Sequence, residues 1–271
     1  MSNGVYSSTN IRRGPLAELW RYRTLVKNLT ARDVKVRHKQ SFLGLAWIML
    51  SPLIMMAVMA LVFAQFFGAS LSGASFSLYV FSGLLPWTLF SSATAQGLGS
   101  IVGNGTIIRR VYVPKAAFPV ASVASGVVNF GFTLITLLCY MLVTRAPINF
   151  SLVMSLIPIA EMTIFALGMT MALATLYVFF RDVRWFYDSA LLAWFYATPI
   201  FYPPEIIGER YRGLMELNPL WPMLRAFRRP IMQGLPPTSA DLASGAVAAV
   251  SAVLIGWLIL RKFDQQILNY L

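Results

Sequence analysis

A stretch of 68 residues, from Ser41 to Ile108, contains no Asp, Glu, Lys, Arg or His. It is too long for one membrane crossing, because about 20 helical residues span the hydrocarbon core of a bilayer. It therefore predicts two hydrophobic helices joined by a tight outer turn at Gly68 to Ser75. The first 40 residues, in contrast, hold nine Lys and Arg residues. Since Lys and Arg are retained on the cytoplasmic side, this boundary predicts a cytoplasmic N-terminus.

The rest of the chain predicts four more crossings. Hydrophobic residues make up 58% of the sequence, above the roughly 45–50% of soluble domains. The predicted fold is an all-α polytopic membrane protein with a cytoplasmic segment at 1–40 and a transmembrane domain at 41–271. Its six transmembrane helices are predicted at about 45–67, 77–101, 118–144, 152–180, 185–202 and 241–260. Both termini are then cytoplasmic, and 16 of the 22 Lys and Arg residues fall on inner segments.

The basic N-terminal segment contains an amphipathic pattern at 15–29. Its apolar residues recur every three or four positions, with cations between them. This pattern favours an interfacial helix whose cations face lipid phosphates, and an amphipathic helix packed on the membrane domain is the alternative. The candidates for contact with a lipid phosphate or the membrane surface are Arg21, Arg23, Arg32, Lys35, Arg37 and Lys39. Arginine pairs well with phosphate, but general attraction to anionic phospholipid predicts the same residues.

The net charge of +12 is concentrated on the predicted inner face, which favours anionic phospholipid or an acidic partner over nucleic acid. The segment 203–238 mixes charges, prolines and large apolar residues, which predicts short re-entrant helices between spans five and six. Three of its five arginines, Arg225, Arg228 and Arg229, are expected either to line an exit or to face water and lipid headgroups.

Several kinds of chemistry are poorly supported. The sequence has no Gly-Lys dipeptide, so the phosphate-binding P-loop is absent, and it has one histidine, His38. No catalytic or metal site is therefore expected in this chain. Ion-coupled transport usually needs ionisable groups within the membrane. Glu161 and Asp188 are the two candidates, and both are expected at membrane boundaries with local partners.

Several short motifs resemble a family of transporters. RHKQSFLGLAWIMLSPL stands at 37–53, GLLPW at 83–87 and IVGNGTIIRRVYVPKAAFPVA at 101–121. RDVRWFYDSALLAWFYATPIFYPPE at 181–205 and NPLWPMLRAFRRPIMQG at 218–234 follow. Their order and spacing resemble the membrane permease of type-2 ABC exporters. They resemble in particular the class that exports lipid-linked polysaccharides: O-antigen, capsule, teichoic acid or galactan.

This resemblance implies a homodimer of permeases, each on a separate nucleotide-binding ABC ATPase subunit that binds ATP and Mg²⁺. No cofactor is expected in this chain, and the cargo implied is a polysaccharide linked to polyprenyl diphosphate or a similar lipid. The location implied is the inner membrane. A drug or lipid exporter of the same type is the alternative, and an ion-coupled secondary transporter is a further one.

The resemblance also assigns a role to residues 104–117, which join spans two and three on the cytoplasmic side. In similar permeases this segment is the coupling helix that contacts the ATPase. Here Thr106 is expected to cap a short helix that runs to Tyr112, before Pro114 ends it. Arg109 and Arg110 are expected to pair with acids of the ATPase, and Val111 and Tyr112 to supply apolar contacts. A plain basic inner loop is the alternative.

Span five is rich in aromatic residues, with eight between 185 and 202. Flat rings with hydrogen-bonding edges suit a surface along which sugars slide. Tyr187, Trp194 and Phe201 are seven apart and are expected on one helix face. A lipid-facing aromatic belt explains the rings at the two ends of the span, but not those in its middle. The candidate channel-lining residues are Trp194, Tyr196, Tyr187, Phe201, Trp47, Trp87 and Phe90.

Overall fold

The computed structural model describes residues 20–38, 44, 46–67 and 73–271, and every regular element within them is helical. The first part of the chain forms α1 (Arg23–His38), α2 (Ala46–Phe67), α3 (Gly73–Gly97), α4 (Gly105–Arg110) and α5 (Ala117–Val143). The second part forms α6 (Ser151–Met154), α7 (Leu156–Phe179), α8 (Val183–Ala197), α9 (Glu209–Glu216), α10 (Leu220–Gln233) and α11 (Ser239–Tyr270). Short 3-10 turns lie at Val102–Asn104 and Pro204–Ile206.

Each predicted crossing overlaps a helix, and four helical segments are long and apolar enough to cross a membrane alone. These are Ala46–Phe63, Ala117–Val143, Ser151–Phe179 and Ser239–Tyr270. Together they make the chain an all-helical, multi-pass membrane protein. The other two predicted crossings correspond to α3 and α8. Helix α8 has 15 residues, or about 22 Å at the usual rise, against a hydrocarbon core of roughly 30 Å.

Helix α3 lies at the centre of the bundle, in contact with α2, α5, α7 and α10. Phe76, Phe81, Leu85 and Phe90 on this helix are completely buried. The helix also carries small polar residues, whose hydroxyls donate to carbonyls one turn earlier. Thr94, for example, donates to the Phe90 carbonyl at 2.8 Å. Because protein surrounds α3, its hydropathy reflects helix packing more than contact with lipid.

The most extensive helix contact joins α7 to α11. A Cβ added at Gly168 of α7 would lie 2.2 Å from the Ala252 backbone carbon, and one added at Gly256 would lie 2.1 Å from the Gly168 carbonyl oxygen. The backbones therefore touch at this crossing. Such contacts are typical of membrane helices, where small residues permit close packing that apolar side chains alone do not drive.

The predicted inner segments meet at one end of the bundle. Leu29 of α1, Ile108 of α4, Phe118 of α5, Val178 of α7 and Ile267 of α11 belong to one buried cluster. The C-terminal residue Leu271 packs against the same cluster. The N-terminal helix and the end of α11 thus lie on the same side, as an even number of crossings requires. Residues 68–72 of the predicted turn at 68–75 lie outside the described residues. The remaining residues, from Gly73 onwards, already belong to α3.

We expect Gly168→Ala to destabilise the protein, because the new methyl group would overlap the α11 backbone. Overpacking of this kind costs about 2 kcal/mol. The thermal midpoint of the purified protein in detergent should fall.

Gly131→Ala is the matched control. Gly131 also lies in a membrane helix, α5, and a Cβ there meets no atom within 4 Å. This change should leave the midpoint equal or slightly higher, since alanine favours helix by up to about 1 kcal/mol. Equal midpoints for the two variants would show that α7 and α11 are not in backbone contact.

Candidate functional sites at the two ends of the bundle

The segment between α3 and α5 presents the predicted coupling residues on the surface. Arg109 and Arg110, which end α4, are exposed, and Val111 and Tyr112 are 58% and 78% exposed. Ile108, one residue before them, is buried in the inner cluster. An apolar anchor therefore holds a surface strip of two cations, an aliphatic side chain and an aromatic ring. This composition suits contact with a partner that offers acidic and apolar groups.

The predicted boundaries of this short helix were wrong. It runs from Gly105 to Arg110, with Asn104 and not Thr106 at the N-cap position, and Val111 is already extended. The Asn104 side chain makes no cap hydrogen bond, because its amide donates backwards to the Ser100 carbonyl at 2.7 Å. Its Oδ1 accepts a hydrogen bond from Arg32 at 2.9 Å. The polar groups of this side chain are thus used to join the segment to α1.

Helix α1 packs against α5, as the alternative reading of the amphipathic pattern predicted, and it extends to His38. Leu29 is 5% exposed, and Thr30 donates to the Ala121 carbonyl at 3.2 Å. Arg23 and Lys35 of this helix are exposed, as is Arg21 just before it. The helix therefore has a face joined to the bundle and exposed cations that are free to meet a membrane surface or a partner.

The lipid-phosphate candidates do not share one environment. The Arg32 guanidinium donates to Asn104 and to Asp33, so its donors are largely committed to protein. The Arg37 side chain and Lys39 lie outside the described residues, as do residues 15–19 of the predicted amphipathic segment. Arg21, Arg23 and Lys35 remain as the described candidates on an exposed surface.

A second polar contact at the inner end involves Lys115, which sequence reasoning did not single out. Its side chain is 8% exposed, and its ammonium group lies 2.9 Å from the Asp264 carboxylate of α11. The same group donates to the Asp264 backbone carbonyl at 2.5 Å. A lysine between Pro114 and a run of small residues carries no pattern that reveals such a partner 149 residues away.

The aromatic residues of α8, which runs from the inner end of the bundle towards the outer end, divide into buried and exposed groups. Tyr187 is 4% exposed and donates to the Thr94 hydroxyl at 2.7 Å. Trp87 and Phe90 of α3 are also buried, and both contact rings of α8. In this chain these three residues fill the space between helices.

The expectation that Phe201 shares a helix face with Tyr187 and Trp194 was wrong. Helix α8 ends at Ala197, and Phe201 lies in the following irregular segment, buried against Phe63 and Phe195. The break comes at Thr198-Pro199, because proline removes a backbone donor and disfavours helix in the residue before it.

Half-buried Trp194 lines an open groove, and Tyr196 lies at the surface two residues further along α8. The Trp194 ring packs edge-on against Phe90, and its indole nitrogen donates to Asn218 at 2.9 Å. Tyr196 is 56% exposed. The groove has a volume of about 450 Å³, and its aromatic lining comes from Trp194, Tyr202 and Tyr211. Trp47 is a separate case, 45% exposed on α2.

Arg228 of α10 holds the break after α8 in place. Its side chain is 6% exposed and donates to the carbonyls of Pro199, at 2.6 Å, and Ile200. It also donates to the Tyr79 hydroxyl at 3.0 Å, with its charge 3.8 Å from the centre of the Tyr79 ring. The expectation that Arg228 faces water or an exit was therefore wrong. Its role is to satisfy carbonyls that proline leaves without helical donors.

Three other charged residues that the sequence analysis named, Arg225, Glu161 and Asp188, lie in different surroundings. Arg225 is exposed and pairs with Asp241, which is 2% exposed. Thr238 caps the start of α11, because its hydroxyl accepts a hydrogen bond from the Asp241 backbone N–H. Glu161 is 8% exposed, and its Oε2 has no hydrogen-bond partner among the described residues. A Cβ at Gly245 would lie 2.2 Å from that oxygen. Glu161 thus lies inside the α7–α11 contact, whereas Asp188 is exposed on α8.

Comparison with known proteins identifies this architecture. The sequence pattern of the family described as ABC-2 type transporter matches residues 24–232, from α1 to the end of α10. The chain belongs to the ABC-2 transporter family.

Named relatives support the same assignment along most of the ABC-2 transporter chain. The O-antigen export system permease protein RfbA of Myxococcus xanthus is 32% identical over 241 residues, 88% of this chain and 91% of that protein. The protein of the same name from Klebsiella pneumoniae is 28% identical over 209 residues, 76% and 80% of the two chains. The polysialic acid transport protein KpsM of Escherichia coli is 19% identical over 247 residues, 90% and 95% of the two chains. The resemblance predicted from the motifs is confirmed.

We expect Arg228→Met to destabilise this ABC-2 transporter chain, because it leaves the Pro199 and Ile200 carbonyls buried without their donor. Orphaned buried groups of this kind should lower the thermal midpoint in detergent by roughly 10 °C. The same loss of charge at Arg210, which is exposed on α9, should have little effect. A midpoint for Arg228→Met equal to that for Arg210→Met would contradict the role assigned to Arg228.

Proposed function

We propose that this chain is the permease subunit of an ATP-driven exporter that moves lipid-linked polysaccharide across the cytoplasmic membrane. One observation carries the proposal: the match to an O-antigen export permease extends over 88% of this chain and 91% of that protein. The polysialic acid transport protein covers a similar share at lower identity. Two relatives named for different glycans support a polysaccharide as the class of cargo.

The ATPase is a separate chain in this proposal, and ATP and Mg²⁺ are bound there. Arg109, Arg110, Val111 and Tyr112 form its docking surface, which we call the coupling strip. The support is structural: the strip is exposed, whereas the neighbouring Ile108 is buried in the cluster that joins five helices. A force applied to the strip therefore acts on the bundle and not on a loose loop.

The membrane topology follows from the same assignment. Helices α2, α3, α5, α7, α8 and α11 form six passes, with α9 and α10 as re-entrant helices on the outer side. The short α8 reaches across together with the segment 198–203, whose carbonyls are satisfied by Arg228. Non-helical backbone at membrane depth is tolerated where protein buries it, and this segment meets that condition. Both termini then face the cytoplasm.

The export path requires a second copy of the chain. Two cavities among the described residues are the open groove beside Trp194, of about 450 Å³, and a space near Trp87 of about 10 Å³. Neither would pass a polymer through one chain. Helix α8, in contrast, exposes Leu192 and Tyr196 on its outer face, at 61% and 56%. A homodimer that encloses the path between such faces would present Tyr196 and Trp194 to the sugar chain.

The exposed cations in and just before α1 supply the entry side in this proposal. Arg21, Arg23 and Lys35 are exposed at the end of the bundle where the coupling strip lies. A polyprenyl diphosphate carrier would meet them at the inner leaflet, and Arg suits its phosphate oxygens. Anionic phospholipid occupies the same surface between transport cycles.

Charge reversal in the coupling strip tests the ATPase interface. We expect Arg109→Glu/Arg110→Glu to reduce co-purification with the ATPase by about tenfold or more, because two attractive contacts become repulsive. Export should fall with it. The measurement is the amount of ATPase retained by tagged permease from detergent-solubilised membranes.

The control is Lys27→Glu/Lys262→Glu, which makes the same change in net charge with two exposed residues of α1 and α11. It should leave association unchanged. If both double variants retain the ATPase equally, the coupling strip is not the docking surface.

A second test concerns the path of the polymer. Tyr196→Ala should lower the polysaccharide that reaches the cell surface, because it removes an exposed ring without opening a cavity in the core. Loss of one aromatic sugar contact corresponds to about 1 kcal/mol, so we expect a several-fold decrease with normal ATPase association. Phe186→Ala, at an exposed ring of the inner end of α8, is the control. Normal export by Tyr196→Ala would remove Tyr196 from the path.

A further inference from the structure

Lys115 is a buried cation next to the coupling strip, and the docking role of the strip does not use it. We propose that Lys115 is a positioning residue: by holding Asp264, it transmits movement of the coupling strip to α11 and so to the transmembrane helices. This inference rests on the proposed function, because it assumes that the ATPase acts on the coupling strip.

The geometry of the contact is that of a fixed joint. One ammonium group binds two oxygens of the same residue, the Asp264 carboxylate at 2.9 Å and the backbone carbonyl at 2.5 Å. Charge-assisted hydrogen bonds are short and strong, and the second bond to the backbone restricts rotation about the Asp264 side chain. The joint therefore fixes the position of the α11 backbone and not only that of a side chain.

Both ends of this joint are held by their surroundings. Lys115 follows Pro114 and precedes the start of α5, where Ala117 donates to the Pro114 carbonyl at 2.9 Å. Asp264 lies on α11 between Leu260 and Ile267, which are 3% and 0% exposed in the inner cluster. Neither end is free to follow the other by local adjustment. A displacement of the coupling strip must move α11 or break the contact.

Helix α11 is a suitable element to receive that displacement. It is continuous from Ser239 to Tyr270, and its backbone touches α7 at Gly168 and Gly256. At its outer end it binds α10 through the pair Asp241–Arg225. Packed helices of this kind shift as units, since close-packed interfaces do not deform continuously. Lys115 is thus the polar link between the docking surface and a rigid path to the outer end.

The other contacts that attach the coupling strip to the bundle do not replace the ion pair of Lys115 with Asp264. The extended residues between Arg110 and Pro114 are attached to the bundle by burial of Val113 and by a hydrogen bond from Tyr22 to the Tyr112 carbonyl at 3.4 Å. The hydrogen bond leads to Tyr22 beside α1, and Val113 is an apolar member of the inner cluster, to which Leu260 and Ile267 of α11 also belong. Among the contacts of the described residues 111–117, the pair with Asp264 is the charged one that leads to α11.

The test separates coupling from folding. Lys115→Met keeps the apolar length of the side chain and leaves Asp264, whose side chain is 49% exposed, free to be hydrated. In permease–ATPase complexes reconstituted in liposomes of phosphatidylethanolamine and phosphatidylglycerol, we expect complex yield and ATP hydrolysis within about twofold of the parent. The cell's own surface polysaccharide, measured by sugar analysis in a permease-deleted strain, should fall by about tenfold.

Two further variants complete the series. Asp264→Asn loses the charge but keeps the backbone carbonyl contact, so its export should lie between those of Lys115→Met and the parent. Lys262→Met removes an exposed lysine from α11 and should behave as the parent. If Lys115→Met does not assemble with the ATPase, Asp264→Asn is used in its place, because this position is half-exposed. The quantity compared is again the export per ATP hydrolysed.

The proposal is overturned if export per ATP hydrolysed is the same for Lys115→Met, or for Asp264→Asn in its place, as for Lys262→Met. It is also overturned if, in the variant that does assemble, ATP hydrolysis and export fall in parallel, since that is the result of a purely structural contact. If the proposed function itself were wrong, the result would be different: Arg109→Glu/Arg110→Glu would retain as much ATPase as the parent. The two failures are therefore distinguishable.

Discussion

The backbone contact between α7 and α11 is the interaction on which the rest of the structure depends. In a membrane, apolar side chains gain little by leaving lipid for another helix, so close approach and polar contacts must supply the packing energy. Gly168 and Gly256 permit that approach, and Gly245 leaves the space that the Glu161 carboxylate occupies. The pair then serves as a wall against which α3 and α10 are placed. The two candidate sites lie at opposite ends of this α7–α11 pair.

The second constraint is that every backbone polar group within a membrane needs a partner. Helix α8 is too short to cross and ends at a proline, so the following carbonyls must find donors elsewhere. Arg228 meets this need from α10, and Gly83 of α3 leaves room for its guanidinium, since a Cβ there would lie 2.2 Å from an arginine nitrogen. Three separate segments are thereby joined. The aromatic rings beside the groove owe their position to this buried arginine.

The fold was largely predictable from the sequence, because hydrophobic length and charge placement are direct consequences of the membrane. Each predicted crossing corresponds to a helix, and the segments predicted to be cytoplasmic converge on one cluster. The errors came where side chains find partners far along the chain. Periodicity placed Phe201 on a helix that Pro199 ends, and the same pattern did not distinguish the buried Trp87 and Phe90 from the surface ring of Tyr196.

The candidate sites were predicted less completely, for a related reason. The positive-inside pattern counts cations but does not say what each one binds. Arg32, Lys115 and Arg228 are used within the protein, bound to an amide, a carboxylate and backbone carbonyls. Arg109 and Arg110 have a similar sequence context and are exposed. Only tertiary contacts separate the two groups, because a long flexible cation reaches partners that are distant in sequence.

This division of the cations has a consequence for how the ends of the bundle communicate. A buried cation with fixed partners moves only when its partners move, whereas an exposed one adapts to whatever binds it. At the inner end the two kinds are adjacent: the coupling strip can adapt to a partner, and Lys115, three residues after Tyr112, cannot adapt. At the outer end Arg228 is fixed by the Pro199 and Ile200 carbonyls. Tyr196, three residues before Pro199, is exposed. Each functional surface is thus an adaptable strip attached to a rigid joint, and the α7–α11 wall lies between the joints.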